Sequence, residues 1–308
     1  MTVSTAAAMS RADYLRALVV VVIWGSNFVV MKLGLIGLNP MLLGALRFAA
    51  ASLPWVFILR APRLPWRHVA AYGLLQGLGQ FGLLFTALQL GMPAGMASVV
   101  MQTQAFFTLL LAGPVLGERV QRHQALGLVL AAGGLVLIGA AHGEGPGQMT
   151  LIGFVLTVGA GLMWASSNLV VRLAGRINAD YDPVAFIAWS SLMPVLPFLA
   201  LSAWGIGAAA TWQQLRGIGW TGLGVVLFLG WLATLLAYSL WTRLLKRHPV
   251  ARVAPFSMLV PLIGLLAAWL AFGERLNLLQ WIGTGAVMAG LVVNQLGARW
   301  LAAYRARH

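Results

Sequence analysis

Long apolar runs separated by short polar joins account for most of this chain. A helix needs roughly 20 apolar residues to cross a bilayer, and ten runs of about that length can be marked. Several joins contain turn-forming pairs such as Asn39-Pro40 and Ala61-Pro62. The pattern predicts an all-α polytopic membrane protein with spans at about 15–36, 40–60, 68–90, 94–115, 122–141, 150–173, 183–204, 217–241, 250–272 and 278–298.

Two short motifs occur twice, and in the same order. The run WGSNFVVMK at 24–32 is matched by WASSNLVVR at 164–172, and each copy ends in a basic residue. Residues 107–138 align without gaps on residues 263–294 with eleven identities, which include a Gly-Glu-Arg triplet in each copy. Self-similarity at a fixed offset indicates an internal duplication.

The duplicated unit has five spans, and an odd number of spans reverses the direction of the second copy. The first repeat covers 15–141 and the second covers 150–298, with tails at 1–14 and 299–308. We therefore predict ten transmembrane helices arranged as two inverted five-helix repeats around a central cavity. Inverted repeats are characteristic of secondary transporters, which hold their substrate near the membrane midplane.

Basic residues fall mainly on one side of the predicted spans. Sixteen of the 20 Lys and Arg residues lie on the side of the N-terminus, whereas Lys32, Arg216 and Arg275 lie on the other side. Cytoplasmic loops of membrane proteins carry the excess of Lys and Arg. Both tails are therefore predicted to be cytoplasmic.

The composition supports a membrane protein and excludes several other classes. Hydrophobic residues make up 60% of the chain, charged residues 8%, and the mean hydropathy is +0.88; in soluble domains about a quarter of residues are charged. The net charge of +14 is spread over single basic residues, which predicts contact with anionic membrane lipids and no nucleic acid. Because the chain has no cysteine and no cluster of His or acidic residues, neither a metal nor a cofactor is expected.

Polar and aromatic side chains recur at helical spacing within several spans. Such groups are costly in hydrocarbon unless they face the protein interior or water, and spacings of three and four place them on one helix face. An alternative interpretation is that they join helices through hydrogen bonds of about 0.6 kcal/mol each. In span eight, Trp231 and Trp241 are expected on the same helix face as Tyr238. The residues predicted to bind substrate are Trp24, Asn27, Gln76, Gln80, Ser98, Gln102, Trp164, Ser167, Asn168 and Tyr238.

Charged residues are almost absent from the predicted membrane interior. All six acidic residues and all five His residues fall at span ends or in connections, so the usual proton relay of a coupled pump is not expected. Arg47 is the exception, about seven residues into span two. We expect it near the outer interface, where an Arg side chain extends to the headgroups; the alternative is contact with a substrate carboxylate. The predicted cavity suits neutral, zwitterionic or aromatic solutes.

The duplicated arrangement resembles the EamA-type proteins of the drug/metabolite transporter superfamily. The resemblance covers about 15–298 and rests on two five-helix units, which each open with Trp-(Gly/Ala)-Ser and close with Gly-Glu-Arg and a Gly-rich helix. Within the family, the chain is most similar to bacterial exporters of aromatic and other amino acids. The resemblance implies a cavity built by spans one, three, four, six, eight and nine. Ala105 departs from the family, which commonly has proline there, whereas Pro261 keeps it in the second half.

The leading prediction is a multi-pass protein of the bacterial inner membrane that exports neutral amino acids by alternating access. It is expected to be a monomer, to lack enzymatic activity and to move substrate down its own gradient; coupling by a route that the sequence does not reveal is the alternative. A carrier for another small metabolite or drug is the alternative in the same class. A lipid-modifying membrane enzyme is the alternative from another class; it would need a nucleophile, a carboxylate pair or metal ligands at the interface, and the sequence offers only scattered candidates.

Overall fold

The computed structural model describes residues 9–143, 147–248 and 250–305. Every regular element in these ranges is helical. The helices are α1 Arg11–Gly34, α2 Pro40–Val56, α3 Trp66–Gln89, α4 Ala94–Leu116, α5 Arg122–Ala140, α6 Leu151–Ile177, α7 Pro183–Ile206, α8 Ala208–Arg216, α9 Trp220–Leu245, α10 Val250–Ser257, α11 Val260–Phe272 and α12 Leu278–Arg305.

Eight helical segments of the described residues are long and apolar enough to cross a bilayer. They are α1, α3, α4, α5, α6, α7, α9 and the segment Pro255–Phe272, which includes the end of α10 and all of α11. The apolar helix α2 has only 17 residues, and α12 has 28. An all-helical protein with membrane-length helices is therefore confirmed, whereas the total of ten spans stays a prediction.

Helix starts follow the capping residues of the sequence. At α1, Ser10 and Asp13 form a reciprocal capping box, and at α6 the Thr150 side chain accepts a hydrogen bond from the first turn. Asn39 and Asp182 cap α2 and α7 in the same way, and a proline follows each of them. Proline suits this position because the N–H of the first helical residue has no acceptor within the helix, so its absence costs no hydrogen bond.

Irregular segments occur at matching places in the two halves of the chain. The π-helical segment Gly73–Phe81 interrupts α3, and the π-helical segment Phe228–Leu236 interrupts α9. A break at 101–102 divides α4, and the break between α10 and α11 falls at 258–259, within one residue of the equivalent position in the second repeat. These features support the duplication, and the inverted arrangement of the repeats stays a prediction.

Both Gly-Glu-Arg triplets lie directly after a helix end. The glycines that follow α4 and α11, Gly117 and Gly273, have φ values of 74° and 67°. Glycine adopts this left-handed conformation without the strain that a side chain would cause, and it commonly ends a helix. The glutamate that follows is thereby held at a defined point beside each helix end.

Helices α5 and α12 pack against each other along a line of glycines. A Cβ atom on Gly127 would lie 2.6 Å from the carbonyl oxygen of Gly290, and one on Gly134 would lie 2.6 Å from that of Gly283. The pairing runs in opposite directions along the two helices, so they are antiparallel. Small residues permit this close backbone approach in membranes, and the contact joins the first half of the chain to the second.

The outward surface of the helix bundle is apolar. Exposed side chains include Ile58 at 72%, Val136 at 70%, Leu196 at 75% and Leu270 at 70%. Large contiguous apolar surfaces are uncommon on soluble monomers, and they suit contact with lipid tails. Polar side chains, by contrast, are found inside the bundle, where they surround a cavity.

A buried carboxylate ties the start of α1 to the end of α9. Asp13 is 5% exposed; its oxygens lie 2.6 Å from Arg16 and 3.0 Å from Nε2 of His248. Helix α1 thus begins within the predicted N-terminal tail, and α12 extends to Arg305 within the predicted C-terminal one. The remainder of those tails, 1–8 and 306–308, lies outside the described residues.

Candidate functional site

A cavity of about 470 Å³ lies inside the helix bundle. Sites for small molecules typically have about 300–1,000 Å³, so this cavity has room for one metabolite. Its wall includes residues from α1, α3, α4, α6, α9 and the α10–α11 junction, which correspond to the six spans implied by the family resemblance. Helices α2 and α7 also contribute, and the resemblance did not imply them.

Nine of the ten predicted site residues line this cavity. The exception is Ser167, which is fully buried away from it and whose Oγ donates to the carbonyl oxygen of Trp164 at 2.8 Å. With 3.6 residues per turn, positions 164 and 168 share a helix face and position 167 lies to one side. The residues brought together are Trp24, Asn27, Gln76, Gln80, Ser98, Gln102, Trp164, Asn168 and Tyr238.

An aromatic cluster joins α1 to α9 at the cavity wall. The Trp24 ring lies edge-on to Tyr238 with the ring centroids 5.1 Å apart, and 5.5 Å from the ring of Trp241. Its Nε1 donates to the carbonyl oxygen of Ala233 at 3.1 Å. One turn further along α1, the buried Asn27 has an amide oxygen without a hydrogen-bond partner in the described structure.

Two buried glutamines lie on the π-helical segment of α3. Gln76 Nε2 donates to the hydroxyl of Tyr238 at 2.7 Å, whereas Oε1 of Gln80 has no partner among the described residues. Gly77 brings this segment close to α7, since a Cβ there would lie 2.5 Å from Cγ of Pro194. Short π-helical segments frequently occur at functional sites, and this one brings both glutamines to the cavity wall.

The break in α4 and the middle of α6 supply the remaining polar wall. Ser98 Oγ donates to a carbonyl of its own helix at 2.6 Å, and Gln102 Nε2 donates to the carbonyl oxygen of Ser257 at 3.4 Å. On α6, Asn168 Nδ2 donates to Oε1 of Gln104 at 2.9 Å. The bonds of Gln102 and Asn168 cross between the halves of the chain, so these two amides also join helices.

Arg47 lies deep in the bundle, and its expected place near the outer interface was wrong. It is 2% exposed and forms part of the cavity wall. Its guanidinium carbon lies 3.8 Å from the ring centroid of Phe81, its Nη2 donates to Thr234 Oγ1 at 3.2 Å, and Nη1 lies 3.8 Å from the sulfur of Met31. Counting residues along α2 did not reveal that α1, α3 and α9 would enclose this side chain.

Several cavity residues were not among the predicted ones. Tyr72 lies four positions before Gln76, so the same i, i+4 spacing could have identified it. Trp231, expected on the cavity face, is instead 43% exposed and donates to the carbonyl oxygen of Ala50 at 3.0 Å. The polar and aromatic residues that were missed include Tyr72, Phe81, Gln104, Tyr181, Phe186, Thr242 and Ser257.

An ion pair closes one end of the bundle. Lys32 Nζ lies 2.9 Å from Oε1 of Glu274, whose side chain is 9% exposed. The same carboxylate accepts hydrogen bonds of 2.9 Å from the backbone N–H groups of Ala94 and Gly95 at the start of α4. A carboxylate is favourable at a helix N-terminus, so this contact joins α1, α4 and the Gly-Glu-Arg triplet after α11.

The equivalent ion pair lies at the opposite end. Arg172 pairs with Glu118, and their side chains are 43% and 46% exposed. Helix α4 starts at the first pair and ends beside Glu118; its 23 residues span roughly 35 Å, about the thickness of a bilayer core. Each pair therefore joins the Trp-(Gly/Ala)-Ser motif of one half to the Gly-Glu-Arg triplet of the other half.

The cavity extends towards the exposed ion pair. Val171, which precedes Arg172 directly, belongs to its wall, and so do Tyr181 and Pro183 at the start of the next helix. At the other end, Met31, Leu88 and Met92 are at most 4% exposed and form part of the main apolar core. The cavity is thus closed by packed side chains on the side of Lys32.

The electrostatic character of the cavity is set by one cation. Among the described lining residues, Arg47 is the single charged side chain, and none is acidic or a histidine. Asp13, Glu118 and Glu274 form ion pairs near the ends of the bundle. Glu144 lies outside the described residues.

A bundle of membrane-length helices around a buried, amide-lined cavity defines a transmembrane transporter of small molecules. The chain belongs to the EamA-like transporter family, whose sequence model matches residues 12–140 and 151–295. The family predicted from the repeated motifs is thereby confirmed, and the two matched regions correspond closely to the two predicted repeats.

Relatives of this chain include two bacterial proteins that are named "Probable amino-acid metabolite efflux pump". The protein of Salmonella typhimurium strain LT2 is 41% identical over 94% of this chain and 97% of its own length. The protein of Escherichia coli strain K12 is 40% identical over 95% and 97%. A solved crystal structure with 20% identity superimposes with a TM-score of 0.60 over 95% of this chain and 99% of its own, which supports the fold.

Proposed function

We propose that this protein exports neutral amino acids, including aromatic ones, from the cytoplasm across the bacterial inner membrane. The observation that carries the proposal is the cavity of about 470 Å³ inside the bundle, which is lined by amide groups and tryptophan rings from several helices. The name of the relatives with 41% and 40% identity supports the same substrate class and the same direction of transport.

The free groups of the cavity match the polar end of an amino acid. Asn27 and Gln80 each have a buried amide oxygen without a partner in the described structure. A buried acceptor without a partner costs about 1–3 kcal/mol. A substrate ammonium, which has three N–H donors, would satisfy such an acceptor once the amide turns towards the cavity. Trp24 and Trp164 supply flat apolar surface for the substrate side chain.

The two ion pairs support a mechanism of alternating access. Each joins one half of the chain to the other, so a rigid tilt between the halves would separate the Lys32–Glu274 pair and enclose the Glu118–Arg172 pair. With the predicted orientation, in which the N-terminus is cytoplasmic, the cavity opens towards the cytoplasm. Export would then proceed by loading in this state and release after the opposite end has opened.

Transport is expected to follow the substrate gradient without coupled protons, because the described cavity wall has no acidic or histidine side chain. A pH difference of about two units could drive roughly 100-fold accumulation through one coupled proton. In proteoliposomes under such a gradient, labelled substrate should instead reach equal concentrations on the two sides. Strong uphill accumulation that collapses with a protonophore would contradict this.

Substitution of the cavity wall should slow transport. Trp164→Ala removes the aromatic wall on α6, and Gln80→Ala removes a free amide. Each is expected to lower the initial rate of amino-acid counterflow in proteoliposomes by about tenfold, equivalent to about 1.4 kcal/mol.

Two matched variants serve as controls for these substitutions. Trp204 is 85% exposed and Gln213 is exposed, so Trp204→Ala and Gln213→Ala should leave the rate unchanged. Comparable elution of all four variants in size-exclusion chromatography establishes folding. Wild-type rates in both Trp164→Ala and Gln80→Ala would remove these residues from the substrate site.

A competition panel tests the substrate class itself. Unlabelled amino acids, nucleosides, sugars and hydrophobic drugs are added against one labelled neutral amino acid in the same counterflow assay. Competition by amino acids alone is the expected result. If only another class of solute inhibits the labelled flux, the result would favour a carrier for a different metabolite or drug.

A further inference from the structure

Arg47 is a buried cation whose contacts in the structure are all neutral. Its neighbours are the hydroxyl of Thr234, the sulfur of Met31 and the rings of Phe81 and Phe48. Its Nε has no hydrogen-bond partner among the described residues. Since a guanidinium has five N–H donors, most of its donor capacity is unused.

An isolated charge at this depth is unfavourable unless something pairs with it. Charged side chains inside membrane proteins usually meet an opposite charge, a carbonyl group or a water-filled cavity, and they often mark the path of a substrate. Among the described residues, the ion pairs involve other basic groups, and they lie near the ends of the helix bundle. Because Arg47 lies in the cavity wall, a solute bound in the cavity can supply the negative charge that pairs with it.

We propose that Arg47 binds the carboxylate of the transported solute and thereby restricts transport to molecules that carry one. This inference rests on the proposed function and specifies how the substrate is recognised at that site. The planar guanidinium can donate two parallel hydrogen bonds to a carboxylate. Asn27 and Gln80 remain available for the ammonium, so the two charged groups of a zwitterion have separate receptors.

The shape of the space around Arg47 limits where a carboxylate can approach. A second recess, which Arg47 lines together with Tyr72, Ser190 and Thr234, has room for about 10 Å³, enough for about one water and too small for a carboxylate. A carboxylate must therefore approach from the main cavity. Primary amides have nearly the same volume as the acids but no negative charge, and they leave the guanidinium unpaired.

The experiment measures ligand-induced thermal stabilisation of the detergent-purified full chain. The probes are neutral amino acids, their primary amides, and plain carboxylic acids that have the same side chains but no amino group. Binding is chosen as the readout because it remains measurable in variants that do not transport. Wild-type protein should require at least about tenfold less of an amino acid than of its amide for half-maximal stabilisation, a difference of about 1.4 kcal/mol.

Three substitutions distinguish binding from a structural role of the arginine. Arg47→Gln should reduce the preference for acid over amide to below about twofold. Arg47→Lys keeps the charge but cannot donate two parallel hydrogen bonds, so its preference should lie between those of wild type and Arg47→Gln. Arg216→Gln, which changes an arginine stacked on Trp212, should behave as wild type. Without ligand, Arg47→Gln should unfold at the same or a higher temperature than wild type, because it removes an unpaired buried charge.

Each outcome of this experiment decides one claim or the other. The inference is overturned if the preference for acid over amide persists in Arg47→Gln. It is also overturned if acid and amide stabilise the wild-type protein equally, or if no carboxylate stabilises it. Stabilisation by plain carboxylic acids but not by amino acids, lost in Arg47→Gln, supports the role of Arg47 and overturns the proposed amino-acid substrate. A fall in the ligand-free unfolding temperature of Arg47→Gln with unchanged selectivity identifies a structural arginine.

Discussion

Replacing Gly134 with leucine is expected to disrupt the contact between α5 and α12. A Cβ on Gly134 would lie 2.6 Å from the carbonyl oxygen of Gly283 and 2.9 Å from the backbone nitrogen of Val287. Since these are backbone atoms, the helices themselves must separate. Overpacking of this kind typically costs about 1–3 kcal/mol and occasionally more. The thermal midpoint of the detergent-purified protein should fall by several degrees, and the yield of monodisperse protein should drop.

The matched control is the neighbouring residue on the same helix. A Cβ on Gly133 would meet nothing within 4 Å, so Gly133→Leu should change stability by no more than about 0.5 kcal/mol. Gly285 offers the same control on α12. Equal midpoints for Gly134→Leu and Gly133→Leu would show that the close glycine contact does not hold the two halves together.

Replacing Glu274 with glutamine should open the closed end of the cavity more often. The amide keeps an oxygen for a backbone N–H at the start of α4 but loses the charge that pairs with Lys32. Hydrogen bonds to charged groups contribute about 1.5–3 kcal/mol, and the 30% exposure of Lys32 puts the loss at the lower end because solvent screens the pair. A loss of about 1.4 kcal/mol would raise the open population tenfold.

Cysteine labelling can measure this change directly, because the chain contains no cysteine. Leu88 is 4% exposed at the closed end, so Leu88→Cys should react slowly with a membrane-impermeant maleimide in the otherwise unchanged chain. Adding Glu274→Gln should raise the labelling rate about tenfold.

The equivalent glutamate at the other end provides the control for this measurement. Glu118 belongs to the same triplet motif, but its ion pair is 43% and 46% exposed, and exposed pairs contribute about 0–1 kcal/mol. Glu118→Gln should therefore leave the labelling of Leu88→Cys nearly unchanged. An equal increase in both variants would indicate general loosening of the bundle, and the assignment of the Lys32–Glu274 pair as a gate would then be wrong.

Helical periodicity correctly placed most of the predicted residues at the cavity, with Ser167 on α6 and Trp231 on α9 as the exceptions. Trp24 and Asn27 on α1, and Trp164 and Asn168 on α6, lie three or four positions apart and line the cavity. The prediction failed for Trp231, which lies in the π-helical segment of α9. In this segment the Thr234 hydroxyl donates to the carbonyl oxygen five residues earlier. The wider π-helical turn changes the angle between successive side chains, so α-helical spacing misplaces Trp231.

Depth along a helix was a poor guide to burial. The sequence places Arg47 about seven residues into the predicted span 40–60, where a lone membrane helix would let its side chain reach the headgroups. In the structure it lies in the middle of the 17-residue helix α2. In the folded bundle, Met31, Phe81 and Thr234 approach it from three other helices. Those contacts depend on how the helices pack, and single-helix patterns contain no information about them.

The sequence by itself determined the membrane class, the family and the repeated motifs, because apolar run length, charge spacing and internal identity are local properties of the chain. Only the tertiary structure decided that Lys32 pairs with Glu274 and Arg172 with Glu118, that the cavity is closed at one end, and that an arginine lies in its wall. The partners in these contacts are 54 to 242 positions apart. Their pairing depends on the packing of the helix bundle, and neither motif alone specifies it.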